Sequence, residues 1–278
     1  MDIRQLKTPF FLSVLATFLA AVASAWGLLG DLYRDNTLVT AAYRGNDLVT
    51  LVVVVPLVIV TLIFAARGSQ RWLLVWLGCL SYLLYNYIFY MYGAVFTPIF
   101  LVYVAIVAVS LWGLILGLAQ VDAEQIRRNF NDRTPVKWIS CFMLLIPVII
   151  GGIEISQVVG YFSSGIVPTA ITQTGHPTGV VYATDLGFLM PAIVVGAVLL
   201  WKRRPWGYVL GMIVMIKGVT YPLALVAMSL FSLKAGTGAD ALTPIYLFFF
   251  AGSSVALGLL LKHMDAVPQT ISPAAAEQ

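Results

Sequence analysis

Charged side chains are scarce in this chain. They make up 10% of its 278 residues, whereas 60% of the residues are hydrophobic. Soluble domains average roughly 25% charged and about 45–50% apolar residues. A water-soluble core cannot absorb this much apolar surface, which excludes a soluble globular protein. The net charge of +4 does not indicate a nucleic-acid partner, because the basic residues fall in short segments between apolar runs.

Cysteine and histidine are almost missing, with two of each. Cys79 and Cys141 fall in different apolar segments without a CxxC spacing, so we expect ordinary core residues rather than a redox pair. His176 and His263 are expected on opposite sides of a membrane, which disfavours a zinc site. We therefore expect neither a bound metal nor a cofactor.

The familiar catalytic and nucleotide-binding motifs are absent as well. The chain has no P-loop, no dinucleotide-binding glycine pattern, no HExxH and no nucleophile elbow. Lys217 falls in the seventh apolar run, where retinal proteins keep their lysine, but the third run has no carboxylate to act as counterion. A retinal protein is thus disfavoured, and an enzyme is the less favoured class.

Eight apolar runs are long enough to cross a bilayer. Roughly 20 residues of helix cross a ~30 Å hydrocarbon layer, and lipid offers the backbone no other hydrogen-bond partner. The sequence therefore predicts an all-α bundle of about eight transmembrane helices whose main partner is the lipid bilayer. The predicted spans are residues 8–30, 49–66, 72–91, 97–118, 138–159, 184–201, 206–230 and 243–262.

The basic residues predict the orientation of these spans. Twelve fall on the side of the amino terminus, three fall on the other side, and Lys217 lies inside a span. Because cytoplasmic loops are enriched in Lys and Arg, we expect a bacterial-type cytoplasmic membrane with both termini in the cytoplasm. The twelve are Arg4, Lys7, Arg67, Arg71, Arg127, Arg128, Arg133, Lys137, Lys202, Arg203, Arg204 and Lys262, and the three are Arg34, Arg44 and Lys234.

A cleaved secretory signal is the alternative for the first run. Arg4 and Lys7 supply a basic start, and the sequence ASA at residues 23–25 resembles a cleavage site. The apolar run over residues 9–29 is longer than the core of a usual signal. We therefore favour a retained span.

Similar short motifs occur in the same order and at similar spacing in the two halves of the chain. NDL at 46–48 matches TDL at 184–186, RW at 71–72 corresponds to Arg204 and Trp206, and TPI occurs at both 97–99 and 243–245. The pattern predicts a four-helix membrane half at 1–119, a cytoplasmic linker with a short surface helix at 120–137, a second half at 138–263 and a disordered tail at 264–278. With four spans each, the halves would be parallel repeats related by a pseudo-twofold axis along the membrane normal. Chance similarity between apolar segments is the alternative.

Lys217 is the strongest candidate for a functional residue. It lies eleven residues after Trp206, about 16 Å along a helix with a ~1.5 Å rise per residue, and thus near the membrane midplane. A charge there costs at least ~2.5 kcal/mol and generally has a partner. Glu154 on the fifth span and Asp185 at the start of the sixth are the predicted partners. The alternatives are a static ion pair between Lys217 and Glu154, and helix capping by Asp185 and by Asp47.

Four further residues complete the predicted site. Alignment of the two halves brings Asn86 to the depth of Thr220, next to Tyr221, and these three are predicted to line a shared cavity. His176 precedes the sixth span and is predicted at the outer mouth. The alternatives are an interfacial belt for the aromatic residues and simple helix contact for Asn86.

These residues favour a membrane protein that binds or transports a small polar or anionic solute, or protons, from the outer side. A second hypothesis is a non-transporting sensor or assembly factor, which predicts no solvent path to Lys217. A third is a lipid-acting membrane enzyme with His176 and Asp185 as an acid/base pair. The sequence specifies neither the solute, nor the coupling ion, nor the oligomeric state.

Overall fold

The computed structural model describes residues 6–265, and over these residues the chain folds into helices without a β-strand. Eight helices are long and apolar enough to cross a membrane, which confirms the predicted multi-pass helical class. They are α1 (Lys7–Leu29), α2 (Thr37–Ala66), α3 (Gln70–Gly93), α4 (Phe100–Ala119), α5 (Val136–Ser164), α6 (Val180–Trp201), α7 (Pro205–Lys234) and α8 (Thr243–Lys262).

The start of α3, the α4–α5 linker and the end of α8 lie on one face of the bundle. Phe130 pairs with Met264 in an isolated antiparallel bridge, and the Asn131 N–H donates to the His263 carbonyl at 2.9 Å. The Arg71 side chain also donates to the Met264 carbonyl. We call this face, which carries the linker and Met264, the terminal face, and the other the opposite face.

Helices α3 and α7 form the centre of the bundle. α7 packs against α2, α3, α6 and α8. α1 packs on α4, and α5 packs mainly on α6. A methyl group at Gly78 of α3 would overlap Ile216 of α7, so the glycine permits the close approach of the two central helices. Ile216, which Gly78 faces, is itself buried.

Helix α2 begins at Thr37 rather than at residue 49, where apolar composition predicts its start. The segment before residue 49 carries Arg44 and Asp47, so its mean hydropathy is too low to predict a membrane span. It is nevertheless helical, because it packs on other helices instead of facing lipid. Asn36 caps it, because the Asn36 side chain accepts a hydrogen bond from the Val39 N–H at 3.0 Å. Asp47 therefore lies in the helix interior, and the capping interpretation of Asp47 is wrong.

Three spans contain π-helical turns, at Thr50–Val54 in α2, Pro147–Gly151 in α5 and Asp185–Leu189 in α6. A proline lies in or just after each turn, and proline cannot donate the helical hydrogen bond that a regular α-turn needs. Such turns are frequent at functional sites. Asp185 opens the turn in α6, five residues after the helix begins at Val180, so Asp185 does not cap α6 either.

The predicted short helix in the linker is present at Ala123–Arg128. Its cap is Asp122, which accepts a hydrogen bond from the Gln125 N–H at 2.9 Å. Cys79 is buried and Cys141 is exposed, both as free thiols. The predicted disordered tail begins at residue 264, but Met264 is buried and pairs with Phe130, and the Asp265 N–H donates to the Asn129 carbonyl at 2.8 Å. The rest of the predicted tail, from residue 266 onward, lies outside the described residues.

Candidate functional site

A cavity of about 1060 Å³ extends from the loops of the opposite face to the middle of α7. Helices α2, α5, α6, α7 and α8 all contribute to its wall. The deep part holds three ionisable side chains from three different helices, while most of the other lining residues are apolar. The three are Glu154, Asp185 and Lys217.

Lys217 lies in the interior of α7 with 5% of its surface exposed. Its amine sits over the ring of Tyr85, 3.3 Å from the centroid, and lies 4.3 Å from the centroid of the Tyr221 ring. Each desolvated cation–π contact of this kind contributes about 2 kcal/mol. Within the described residues the Lys217 amine makes no hydrogen bond and no salt bridge, and it lines the cavity.

Two carboxyl groups line the same cavity as this amine. Asp185 of α6 is buried and accepts a hydrogen bond from the Tyr85 hydroxyl. Glu154 of α5 lies close enough to Asp185 for the two charges to interact, and the Glu154 Oε2 is buried without a donor in the described structure. Glu154 thus faces a second carboxyl group, and the static ion pair between Lys217 and Glu154 is not formed.

Tyr221 joins the site, but Asn86 and Thr220 do not. The Tyr221 ring packs edge-on against the Tyr85 ring with 4.9 Å between centroids. The Thr220 hydroxyl donates to a carbonyl of its own helix at 3.0 Å, and Asn86 belongs to a different polar cluster. Neither Asn86 nor Thr220 lines the cavity.

His176 lies in the loop between α5 and α6, at the opposite-face end of the cavity. Its ring packs edge-on against Phe89, 5.5 Å between centroids. Burial lowers the pKa of His176, and the negative charge of Asp35 partly opposes that change. Burial likewise raises the pKa of Asp35, whose carboxylate accepts a hydrogen bond from the Val95 N–H at 3.1 Å. In the described residues His176 forms neither a hydrogen bond nor a salt bridge with Asp185, and the charge that acts on it is that of Asp35. This disfavours the acid/base pair that a lipid-acting enzyme would need.

A second polar cluster surrounds Asp47 of α2, away from the cavity. The Asp47 carboxylate accepts hydrogen bonds from Tyr33 and, at 3.2 Å, from Tyr90. The Asn46 amide donates to Asn86 and to Tyr90, each at 2.9 Å. In the part of the chain that the structure describes, no basic side chain forms a salt bridge with Asp47.

The sequence missed the role of the α3 tyrosines. An interfacial belt accounts for Tyr92, which is exposed, but Tyr82, Tyr85, Tyr87 and Tyr90 are buried. Tyr85 donates to Asp185 and Tyr90 donates to Asp47, so α3 serves both buried aspartates. The sequence signal for this role was a tyrosine-rich span together with an aspartate on each of two other spans.

Within residues 6–265 no group of three or more His, Cys, Asp or Glu side chains is placed to hold a metal ion. Comparisons with protein-family models, with curated proteins and with solved structures found no match to this chain. The site is therefore interpreted from its own chemistry.

Proposed function

We propose that the chain resides in the cytoplasmic membrane with both termini in the cytoplasm. The terminal face is then cytoplasmic, and the opposite face, where the cavity has its loops, is the outer one. Twelve basic residues on one side against three on the other support this orientation.

We propose that the protein binds a small polar or anionic solute, or protons, at the Lys217 site from the outer side and carries it across the membrane. One observation carries this proposal: a buried amine in the middle of a span faces a cavity instead of a fixed counterion. Ionisable groups inside spans are costly, and they commonly mark solute or proton pathways.

The proposed chemistry follows from charge balance. Two ionised carboxylates at the distance between Glu154 and Asp185 repel each other, so a single proton shared between them is favoured. That proton also satisfies the Glu154 Oε2, and the remaining negative charge balances the Lys217 amine. An anion bound at Lys217 adds a negative charge to a buried site, which a second proton on the carboxyl pair cancels. Anion binding and proton binding are coupled in this proposal.

We infer that the two halves are parallel four-helix repeats related by a pseudo-twofold axis along the membrane normal. α2 and α6 each carry a buried aspartate at a π-helical turn, with Asp47 shortly before the turn in α2 and Asp185 at the start of the turn in α6, and a proline follows each turn. Both aspartates accept a hydrogen bond from a tyrosine of α3. The corresponding helices α3 and α7 meet at the bundle centre, where a twofold axis would run.

The test compares Lys217→Met with Lys234→Met in proteoliposomes. Lys234 is an exposed lysine at the end of the same helix, so its variant controls for the loss of one positive charge. Uptake of protons together with a panel of small carboxylates and inorganic anions is followed with an internal pH dye. We expect Lys217→Met to abolish uptake and Lys234→Met to retain it. Equal uptake by folded preparations of both variants would contradict the proposal.

A further inference from the structure

The two halves differ where the cavity lies. In the first half α1 and α4 pack extensively on each other, whereas the corresponding helices of the second half, α5 and α8, touch in few places. Their contact is made by Phe142 of α5, which packs edge-on against Phe249 with 6.2 Å between ring centroids. A methyl group at Gly252 of α8 would overlap the Phe142 ring. This contact lies in the part of α5 nearer the terminal face.

The contact ends where α5 loses its regular geometry. The π-helical turn Pro147–Gly151 follows the Phe142 contact, and a proline and a wide turn redirect a helix. Glu154 is the one buried residue between Gly152 and Ser164. This part of α5 makes few contacts with the other helices. A gap between α5 and α8 therefore opens toward the opposite face.

The cavity reaches this gap. Ile150 and Ile153 of α5 line it on one side, and Tyr246 and Phe249 of α8 line it on the other. These residues belong to membrane-spanning helices, so the gap lies at the level of lipid chains. The cavity has a charged wall at Lys217 and an apolar side that faces the bilayer.

The size of the cavity also bears on its occupant. Pockets of about 300–1,000 Å³ hold drug-sized ligands, and this cavity, at about 1060 Å³, exceeds the need of a small ion. A ligand with only polar groups would leave the isoleucine and aromatic lining unused. A ligand with a chain uses the charged wall and the apolar gap together.

We propose that the ligand of the Lys217 site is an amphipathic molecule with an acidic head and a long apolar chain, which reaches the site from the bilayer through the gap between α5 and α8. This inference rests on the proposed function, because the acidic head is the anion that Lys217 binds. The chain lies between Ile153 and Phe249 and extends into the surrounding lipid.

The experiment uses palmitic acid carrying a mid-chain diazirine, photolysed with the full-length protein in lipid nanodiscs. We expect labelling of the α5 and α8 peptides that line the gap, saturable by unmodified palmitate. Ile153→Trp fills the gap and abolishes this labelling. Ile155→Trp is the matched control, because Ile155 is half exposed on the same helix and does not line the cavity. Lys217→Met weakens competition by palmitate at least about tenfold, the loss expected for a charge-assisted hydrogen bond.

Three results would overturn this inference. Labelling that does not saturate indicates ordinary bilayer lipid, equal labelling of the two tryptophan variants removes the gap as the site, and cross-links between copies through the gap indicate a second chain as its occupant. If any of these occurs while uptake of small anions still depends on Lys217, the amphipathic ligand is refuted and the proposed function stands. If Lys217→Met changes neither uptake nor competition by palmitate, both proposals fail.

Discussion

Replacement of each buried aspartate, Asp47 and Asp185, by alanine is expected to change the stability of the protein to a different extent. Asp47 is enclosed by protein, so Asp47→Ala leaves the Tyr33 hydroxyl without an acceptor, whereas the Tyr90 hydroxyl keeps the Tyr43 carbonyl at 3.3 Å. One unsatisfied buried group costs about 1–3 kcal/mol, so the free energy of unfolding should fall by about that amount. Asp185 borders the cavity, and Asp185→Ala leaves only the Tyr85 hydroxyl without its acceptor.

Water in the cavity can replace the missing acceptor of Tyr85 at a cost of about 0–2 kcal/mol. The change also removes the carboxyl group that crowds Glu154, which offsets part of the loss. Asp185→Ala should therefore unfold close to the wild-type protein while losing uptake, whereas Asp47→Ala should be destabilised. Unfolding by a denaturing detergent, followed by tryptophan fluorescence in one lipid–detergent mixture, compares the variants directly. An Asp185→Ala protein that is less stable than Asp47→Ala would refute the distinction between a working site and a structural cluster.

Four further predictions concern α3 and the loops at the cavity mouth. Tyr85→Phe keeps the ring under the amine but removes the hydroxyl, so uptake should fall at least about tenfold, the effect of one hydrogen bond to a charged group, with unchanged circular dichroism. Gly78→Leu should lower stability by about 1–3 kcal/mol through overpacking against α7, measured by detergent unfolding. NMR spectra of selectively labelled His176 should give a pKa below the ordinary value of about 6.5. The packing of the α5–α6 loop that carries His176 should therefore lose stability as the pH falls from about 6.5 through this lowered pKa. Asp35→Asn should lower the pKa of His176 further, because it removes the opposing negative charge; an unchanged or raised value would contradict this.

The membrane spans were predictable because hydropathy depends on composition alone. Each of the eight predicted runs contains a helix, and burial of Lys217 follows from its position in the seventh run. The first part of α2 was not predictable in this way. Its polar residues Asn46 and Asp47 are satisfied by tyrosines of the α1–α2 loop and of α3, and contacts distant in sequence do not appear in a local average.

The composition of the site was harder to predict than its central charge. Neighbouring helical residues point about 100° apart, so Tyr85 reaches Asp185 while Asn86 reaches Asn46 on the other side of α3. The predicted grouping of Asn86 with Thr220 rests on their equal depth in the membrane. Depth does not specify the direction in which a side chain points around the helix axis. Helix packing decides it.

The pairing of Glu154 with Asp185 also depends on tertiary structure. Charge alone predicts that Glu154 pairs with the amine of Lys217. In the structure the amine instead contacts two aromatic rings, and Glu154 lies near Asp185. Cation–π contacts leave the amine open to the cavity, which a direct salt bridge would not.

Access of water to position 217 from the outer side tests the central claim most directly. Lys217→Cys, in a background where Cys79 and Cys141 are replaced by alanine, is treated in intact cells with a charged thiol reagent that does not cross membranes. We expect modification of Cys at 217, slowed by small anions that occupy the cavity. A protein that remains unmodified, while the reagent labels a cysteine placed at the exposed position of Lys234, would contradict an outward-open site at the middle of α7.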